Sequence, residues 1–179
     1  YPESFKDSNN DGIGDIGGII SKLDYLKDLG VNLLWIGPIF VSPMDDNGYD
    51  VSNYYDINPK YGTMADLDKL IKEAHERGIR ILLDFPLNHT SDEHPWFQMA
   101  LKDPASSERG YYFIQKGKMV NGTLFPPTNW KGFFATSAWE RIEGTDDYYL
   151  HIFSKKMPDV NWANPNLRER YYEIARFYL

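Results

Sequence analysis

The sequence predicts an α/β fold, namely the N-terminal part of a (β/α)8 barrel with an inserted domain after strand three. Three observations carry this. Apolar stripes at helical spacing alternate with short runs that are almost wholly apolar. A glycine falls just before each of those runs, so the joins are short and the units read as right-handed parallel βαβ. Between Thr90 and Ala163 the rhythm stops. Two or three βα units cannot close a sheet, and a closed barrel takes about 250 residues, so the 179 residues here read as its opening portion.

The elements follow in order. Ile16, Ile19, Ile20, Leu23, Leu26 and Leu29 predict one helix, with Asp15 as its cap and Gly30 as its stop. Val31–Ile36 reads as a buried strand, and Gly37–Gly62 as a long polar loop. Thr63 and Asp66 form a capping-box pattern before a helix whose buried face is Leu67, Leu70, Ile71 and Ala74. Gly78 ends that helix. Ile79–Phe85 is then a strand buried on both faces, as in parallel sheets. Thr90–Ala163 carries β-like pieces at Tyr111–Gln115 and Tyr148–Phe153 and turn signals at Asn121-Gly122 and Pro126-Pro127. A stretch that long reads as a small inserted domain. Asn164-Pro165 opens a last helix, with Leu167, Tyr171, Ile174, Ala175 and Tyr178 as its stripe. The predicted segments are thus 1–89 (first βα units), 90–163 (insertion) and 164–179 (start of the third barrel helix). The chain starts at Tyr1 without an initiator Met and stops inside a helix, so it reads as a piece of a longer protein whose first strand precedes Tyr1.

Composition narrows the function classes. A net charge of −7 argues against nucleic acid, whose binding rests on Lys and Arg. The absence of cysteine excludes thiolate chemistry and disulfide staples. No run approaches the length of a membrane span. The compartment is left open, with a cytoplasmic setting favoured. The 13 Tyr, 10 Phe and 5 Trp suit a sugar-binding surface, since an aromatic face packs on the C–H face of a pyranose; a large aromatic core explains them equally.

Three clusters could carry chemistry. Asp7-Ser8-Asn9-Asn10-Asp11-Gly12-Ile13-Gly14-Asp15 sets oxygen side chains at alternate positions around glycines, which suits a hard cation such as Ca2+. Its first six places follow the EF-hand pattern, but Gly18 stands where that loop needs Glu. Asp7, Asn9, Asp11 and Asp15 would offer side chains and Ile13 its carbonyl. A solvated Asx-turn loop is the alternative; the cation is favoured because clustered carboxylates repel without one. Asp45-Asp46-Asn47-Gly48-Tyr49-Asp50 places acids beside an aromatic, a set able to hold a polyol, though alone it reads as a surface turn. Asp84, Asn88 and His89 crowd the carboxyl end of a parallel strand, where α/β folds keep their sites; a polar turn there is the alternative. His75, His94 and His151 have no such company and read as structural. No zinc spacing, nucleophile elbow or P-loop is present.

Four motifs in order, D-S-N-N-D-G-I-G-D, N-G-Y-D, D-F-P-L-N-H-T-S-D-E-H-P-W-F and M-P-D-V-N-W, resemble the α-amylase family of glycoside hydrolases (family 13), in particular its oligo-1,6-glucosidase and α-glucosidase branch. The resemblance spans essentially the whole chain. It implies a (β/α)8 barrel with a B domain after strand three, acting on α-linked gluco-oligosaccharides. Asp7, Asn9, Asp11, Ile13 and Asp15 would match a metal loop, usually calcium. Asp46 and Tyr49 would match the pair that hydrogen-bonds and stacks the sugar to be released. His89 would donate to that sugar's hydroxyls, Asp84 would hold the site together, and Phe134 would match an aromatic of the B domain. The catalytic carboxylates of the family come from later strands, so none is expected here. The remainder of the barrel would be this chain's own partner. Glucanotransferases, endo-acting amylases and non-catalytic transporter-associated relatives share this region. Met157-Pro158-Asp159-Val160-Asn161 lies between the family's α-glucosidase and neopullulanase forms.

Overall fold

A computed structural model describes all of residues 1–179 and divides into two compact units. The first is Tyr1–Ser42 with Asn53–Phe85; the second is Pro43–Ser52 with Pro86–Leu179. This division follows contacts, whereas the segments 1–89, 90–163 and 164–179 follow position along a barrel.

In the first unit, α1 (Pro2–Phe5) precedes the Asp-rich loop, and α2 (Ile16–Ser21) starts at the Asp15 cap, whose carboxylate accepts the Gly18 N–H at 2.6 Å. The single helix expected from Ile16 to Leu29 is two. It breaks at Lys22 and resumes as α3 (Leu23–Asp28). Two glycines weaken α2, and the Ser21 hydroxyl donates to the Gly18 carbonyl at 2.7 Å, competing with the helical ladder. The stripe survives the break: Ile16, Ile19, Leu23 and Leu26 are all buried. Gly30, at φ +88°, turns the chain toward β1 (Leu33–Ile36).

Strand β1 pairs in parallel with β4 (Arg80–Leu83), from Leu33 opposite Arg80 to Ile36 opposite Leu83. Between them lies α4 (Met64–Glu76), opened by the predicted capping box: Asp66 N–H donates to the Thr63 hydroxyl oxygen and Thr63 N–H to the Asp66 carboxylate. Leu67, Leu70 and Ala74 are buried, as their spacing predicts. Burial of β4 on both faces is not observed. Ile79 is fully covered, but Leu82 is 50% exposed, beside Leu33 at 48% and Trp35 at 64% on β1. Register places these three side chains on one face, and the helices cover only the other.

The expected bare loop Gly37–Gly62 holds an antiparallel pair, β2 (Phe40–Val41) and β3 (Asn53–Ile57), with Phe40 opposite Ile57 and Val41 opposite Asn53. Two residues of β2 give no periodicity to read. Burial of Phe40, Tyr54 and Ile57 holds the pair, and Phe40 and Tyr54 lie 5.7 Å apart, ring to ring.

The second unit corrects a further expectation: Thr90–Ala163 is not only β-like. It contains α5 (Pro95–Lys102), with Pro95 in the first turn and His94 as cap. A 3-10 turn (Ser107–Tyr111) follows. Strands β5 (Ile114–Lys116), β8 (Trp139–Arg141) and β9 (Asp147–Leu150) form an antiparallel sheet in the order β5-β9-β8. Strands β6 (Lys118–Val120) and β7 (Thr123–Phe125) make a hairpin on Asn121-Gly122, both at positive φ, as its dipeptide predicts. The core is aromatic: the Phe97 ring meets Tyr112 at 4.9 Å and Tyr149 at 5.0 Å. Helix α6 (Pro165–Phe177), capped by Asn164, buries Leu167, Tyr171 and Ile174.

Candidate sugar-binding site

His89 sits just past Pro86, where the chain has left the βα pattern, and it is 6% exposed. Its backbone faces Asp159 in an antiparallel bridge: Val160 N–H donates to Asn88 carbonyl at 3.0 Å and Thr90 N–H to Pro158 carbonyl at 3.3 Å. Its ring Nε2 lies 3.1 Å from the Tyr49 carbonyl. Ser91 N–H also donates to the Val51 carbonyl at 2.9 Å. Two predicted clusters, the Asp45–Asp50 turn and the Asn88-His89 turn, are therefore joined.

Burial lowers the His89 pKa; the Tyr49 carbonyl and the charges of Asp46 and Asp50 oppose this. The balance keeps the ring neutral near pH 7, able to donate from one nitrogen. Asp50 itself is fully buried and accepts the N–H groups of Asp45 at 2.9 Å and Asp46 at 3.1 Å. It builds the turn that carries Asp46 and Tyr49. Asn47 and Gly48, both at positive φ, form the turn's tip. Lys156 lies 3.8 Å from Asp45 and 3.5 Å from Asp92, bracing the turn from outside.

Phe134 is placed differently from the other predicted residues of this unit. It is 62% exposed and packs on Phe133 at 5.4 Å. Phe133 meets Phe153 at 5.7 Å, and Phe153 meets the His89 ring edge-on at 5.6 Å. Phe134 is thus the outer end of a row of rings, and Phe153 its inner end. Sequence reading missed Phe153 and Asp159. Their signal lay in the same β-like stretch: a Phe just past Tyr148–Leu150, and one Asp amid Met157, Pro158 and Val160.

Asp84 lies in the first unit at the end of β4, where its N–H donates to the Ile36 carbonyl at 2.9 Å and extends the parallel ladder. In the same unit the Asp7–Asp15 loop is organised by its own hydrogen bonds. Asp7 accepts the N–H groups of Asn9 (2.9 Å), Asn10 (2.7 Å) and Gly12 (2.8 Å); Asn9 accepts that of Asp11 (2.9 Å), and Asp11 that of Ile13 (2.8 Å). The Gly12 N–H foremost, with those of Asn10 and Asn9, holds the Asp7 carboxyl below the usual range. No three His, Cys, Asp or Glu side chains are grouped so as to hold a metal ion by themselves. Asp15 serves the α2 cap and the Ser8 hydroxyl, at 2.9 Å. Gly18 cannot be the missing Glu, because a Cβ there would lie 1.7 Å from the Lys6 carbonyl oxygen. The donor set of Asp7, Asn9, Asp11 and the Ile13 carbonyl is nevertheless all oxygen, which fits a hard cation.

A parallel βα pair followed by an insertion with its own antiparallel sheet is the opening of an α/β barrel with an inserted domain. The alpha-amylase catalytic-domain family matches residues 1–179, and the chain belongs to it. It is 54% identical over 179 residues to an oligo-1,6-glucosidase of Parageobacillus thermoglucosidasius, covering all of this chain and 31% of that protein. Among solved structures, a trehalose-6-phosphate hydrolase from Bacillus licheniformis superposes with TM-score 0.94 at 47% identity, over 99% of this chain and 32% of that one. An isomaltulose synthase from Klebsiella sp. LX3 gives TM-score 0.94 at 50% identity, over 99% and 31%. The chain therefore spans about a third of the length of these relatives, and its fold is that of the first third of a (β/α)8 barrel enzyme.

Proposed function

We propose that the full-length protein is a glycoside hydrolase that cleaves α-glucosidic bonds in short oligosaccharides, and that this chain supplies part of the wall gripping the terminal glucose. The observation that carries the reading is the join between His89 and the Tyr49 turn, 3.1 Å from ring nitrogen to carbonyl. It brings a neutral donor, the Asp46 carboxylate and the Tyr49 ring into one neighbourhood. Asp46 accepts from sugar hydroxyls, Tyr49 stacks on the C–H face, and the single His89 N–H, which already meets the Tyr49 carbonyl, is shared with a sugar hydroxyl as a three-centre bond. Phe134 is proposed to serve the same sugar, from the outer end of its aromatic row. Hydrolysis with retention needs two carboxyl groups about 5–5.5 Å apart, and the proposal assigns neither to this chain. The test is an assay of the full-length protein on isomaltose, maltose, trehalose and starch. Hydrolysis of a short α-glucoside supports the reading; inactivity on all four overturns it.

A second reading, transfer or isomerisation of the glucosyl group, is favoured by the isomaltulose synthase among the similar structures. Product analysis on sucrose separates them: free glucose means hydrolysis, and a rearranged disaccharide means transfer.

We further propose that Asp7, Asn9, Asp11 and the Ile13 carbonyl hold a structural Ca2+, which would lock the loop before α2. Calcium added to EDTA-treated full-length protein is expected to raise its unfolding temperature, and Asp11→Ala to remove that response. No response in the wild type would end the proposal.

A further inference from the structure

The buried carboxylate of Asp159 has no part in the sugar contacts proposed above, yet Asp159 lies directly opposite His89 across the backbone bridge. It is 5% exposed. Its Oδ1 accepts two bonds, from the Asn88 side-chain amide at 3.2 Å and from the Ile152 N–H at 3.2 Å. The Asn88 amide nitrogen in turn lies 3.5 Å from His89 Nδ1, a long contact. On the ring's other side is the Tyr49 carbonyl, 3.1 Å from Nε2.

We propose that Asp159 is a positioning residue that sets the tautomer of His89 through Asn88. The logic is one of donors and acceptors. A carboxylate only accepts, so it must face the NH2 end of Asn88, which fixes the flip of that amide. An NH2 group turned toward His89 Nδ1 requires that nitrogen to be bare. The Tyr49 carbonyl, also only an acceptor, requires a proton on Nε2. Both partners select the same neutral imidazole, with its hydrogen on the nitrogen that looks toward the Tyr49 turn. The Nδ1–H tautomer would set two donors against each other on one side and two acceptors on the other. Through the Ile152 N–H, the same carboxylate pins the segment that carries Phe153, whose ring packs on His89. Asp159 therefore holds both what the imidazole bonds to and what it leans on.

The inference rests on the proposed sugar-binding role of His89 for its consequence, but not for its first readout. In full-length protein with 15N-labelled histidine, the His89 ring is expected to show the Nε2–H tautomer at pH 8. Asp159→Asn keeps an acceptor oxygen in place and is expected to keep that tautomer. Asn88→Ala, at an exposed residue, and Asp159→Leu are expected to bring in the Nδ1–H form. On an α-glucoside, Asn88→Ala is expected to raise KM about tenfold with a smaller change in kcat, as for lost ground-state binding. An Nδ1–H wild type, or an Nε2–H ring unchanged in a folded Asn88→Ala, overturns the proposal. A tautomer shift without any glucosidase activity in the wild type would instead uphold it and overturn the functional reading.

Discussion

His94 is expected to make the protein sensitive to mild acid, and Asp159 to mask that sensitivity. His94 caps α5 by accepting the Trp96 N–H on Nδ1 at 3.1 Å, and it is 5% exposed. Burial lowers its pKa from 6.5 to about 4. Between those values the unfolded chain binds a proton that the folded one refuses, so stability falls as pH falls. About 2.5 pH units at 1.36 kcal/mol each is about 3 kcal/mol lost by pH 4. Asp159 acts with opposite sign. Burial, against the Ile152 and Asn88 bonds, raises it from 3.8 to about 6. Its contribution is fully present below pH 3.8 and is lost as pH rises through 6, again about 3 kcal/mol. The two nearly cancel between pH 4 and 6. His89 and His151, both also lowered by burial, add to the acid-labile side. Urea denaturation of full-length protein from pH 4 to 7.5 measures this. Wild type is expected to lose only what His89 and His151 add. His94→Asn, which keeps a capping acceptor, is expected to become more stable toward acid relative to its own value at pH 7.5. Asp159→Asn is expected to lose stability about 3 kcal/mol more steeply than wild type. Parallel profiles for all three proteins would refute the reasoning.

Other outcomes follow from single contacts. Thr63→Ala removes the α4 capping box and is expected to cost about 1 kcal/mol by urea denaturation, with Thr63→Ser restoring most of it. Arg109 bonds the Asp147 carboxylate at 2.5 Å and the last turn of α5 through the Ala100 carbonyl at 2.8 Å. Asp147→Ala is expected to cost about 1–3 kcal/mol by leaving a part-buried guanidinium short of an acceptor. The exposed Arg141–Asp146 pair, 3.1 Å apart, is expected to be worth less than about 1 kcal/mol, so Asp146→Ala leaves the urea midpoint nearly unmoved. The 179-residue chain expressed alone is expected to bind a hydrophobic dye at Leu33, Trp35 and Leu82 and to melt without a sharp transition; a cooperative melt contradicts this.

The elements set by local chemistry were legible. The Thr63 box, Asn164 before Pro165, and Asn121-Gly122 each name a backbone geometry that few other residues satisfy, and each formed where expected. What depended on neighbours was not. Ser21 diverts a helical bond and splits a stripe that reads as continuous. Strand β2 is too short to have a period, and α5 is announced by a histidine cap, which sequence rules do not favour. At the site, His89, Asp46 and Tyr49 stood out because polar and aromatic residues clustered at a strand's end and a glycine turn. Asp159 did not, because its meaning lies in a bridge across about seventy residues of sequence that no spacing rule reaches.

The small antiparallel pair Phe40–Val41 and Asn53–Ile57 acts as a clasp on the loop that carries Asp46 and Tyr49. Much of the entropy lost in closing that excursion is met by the clasp, whatever residues ride at the tip. The tip can therefore be rewritten while its ends stay fastened. A loop fastened at its base in this way can change its exposed side chains one at a time, without having to solve its folding again.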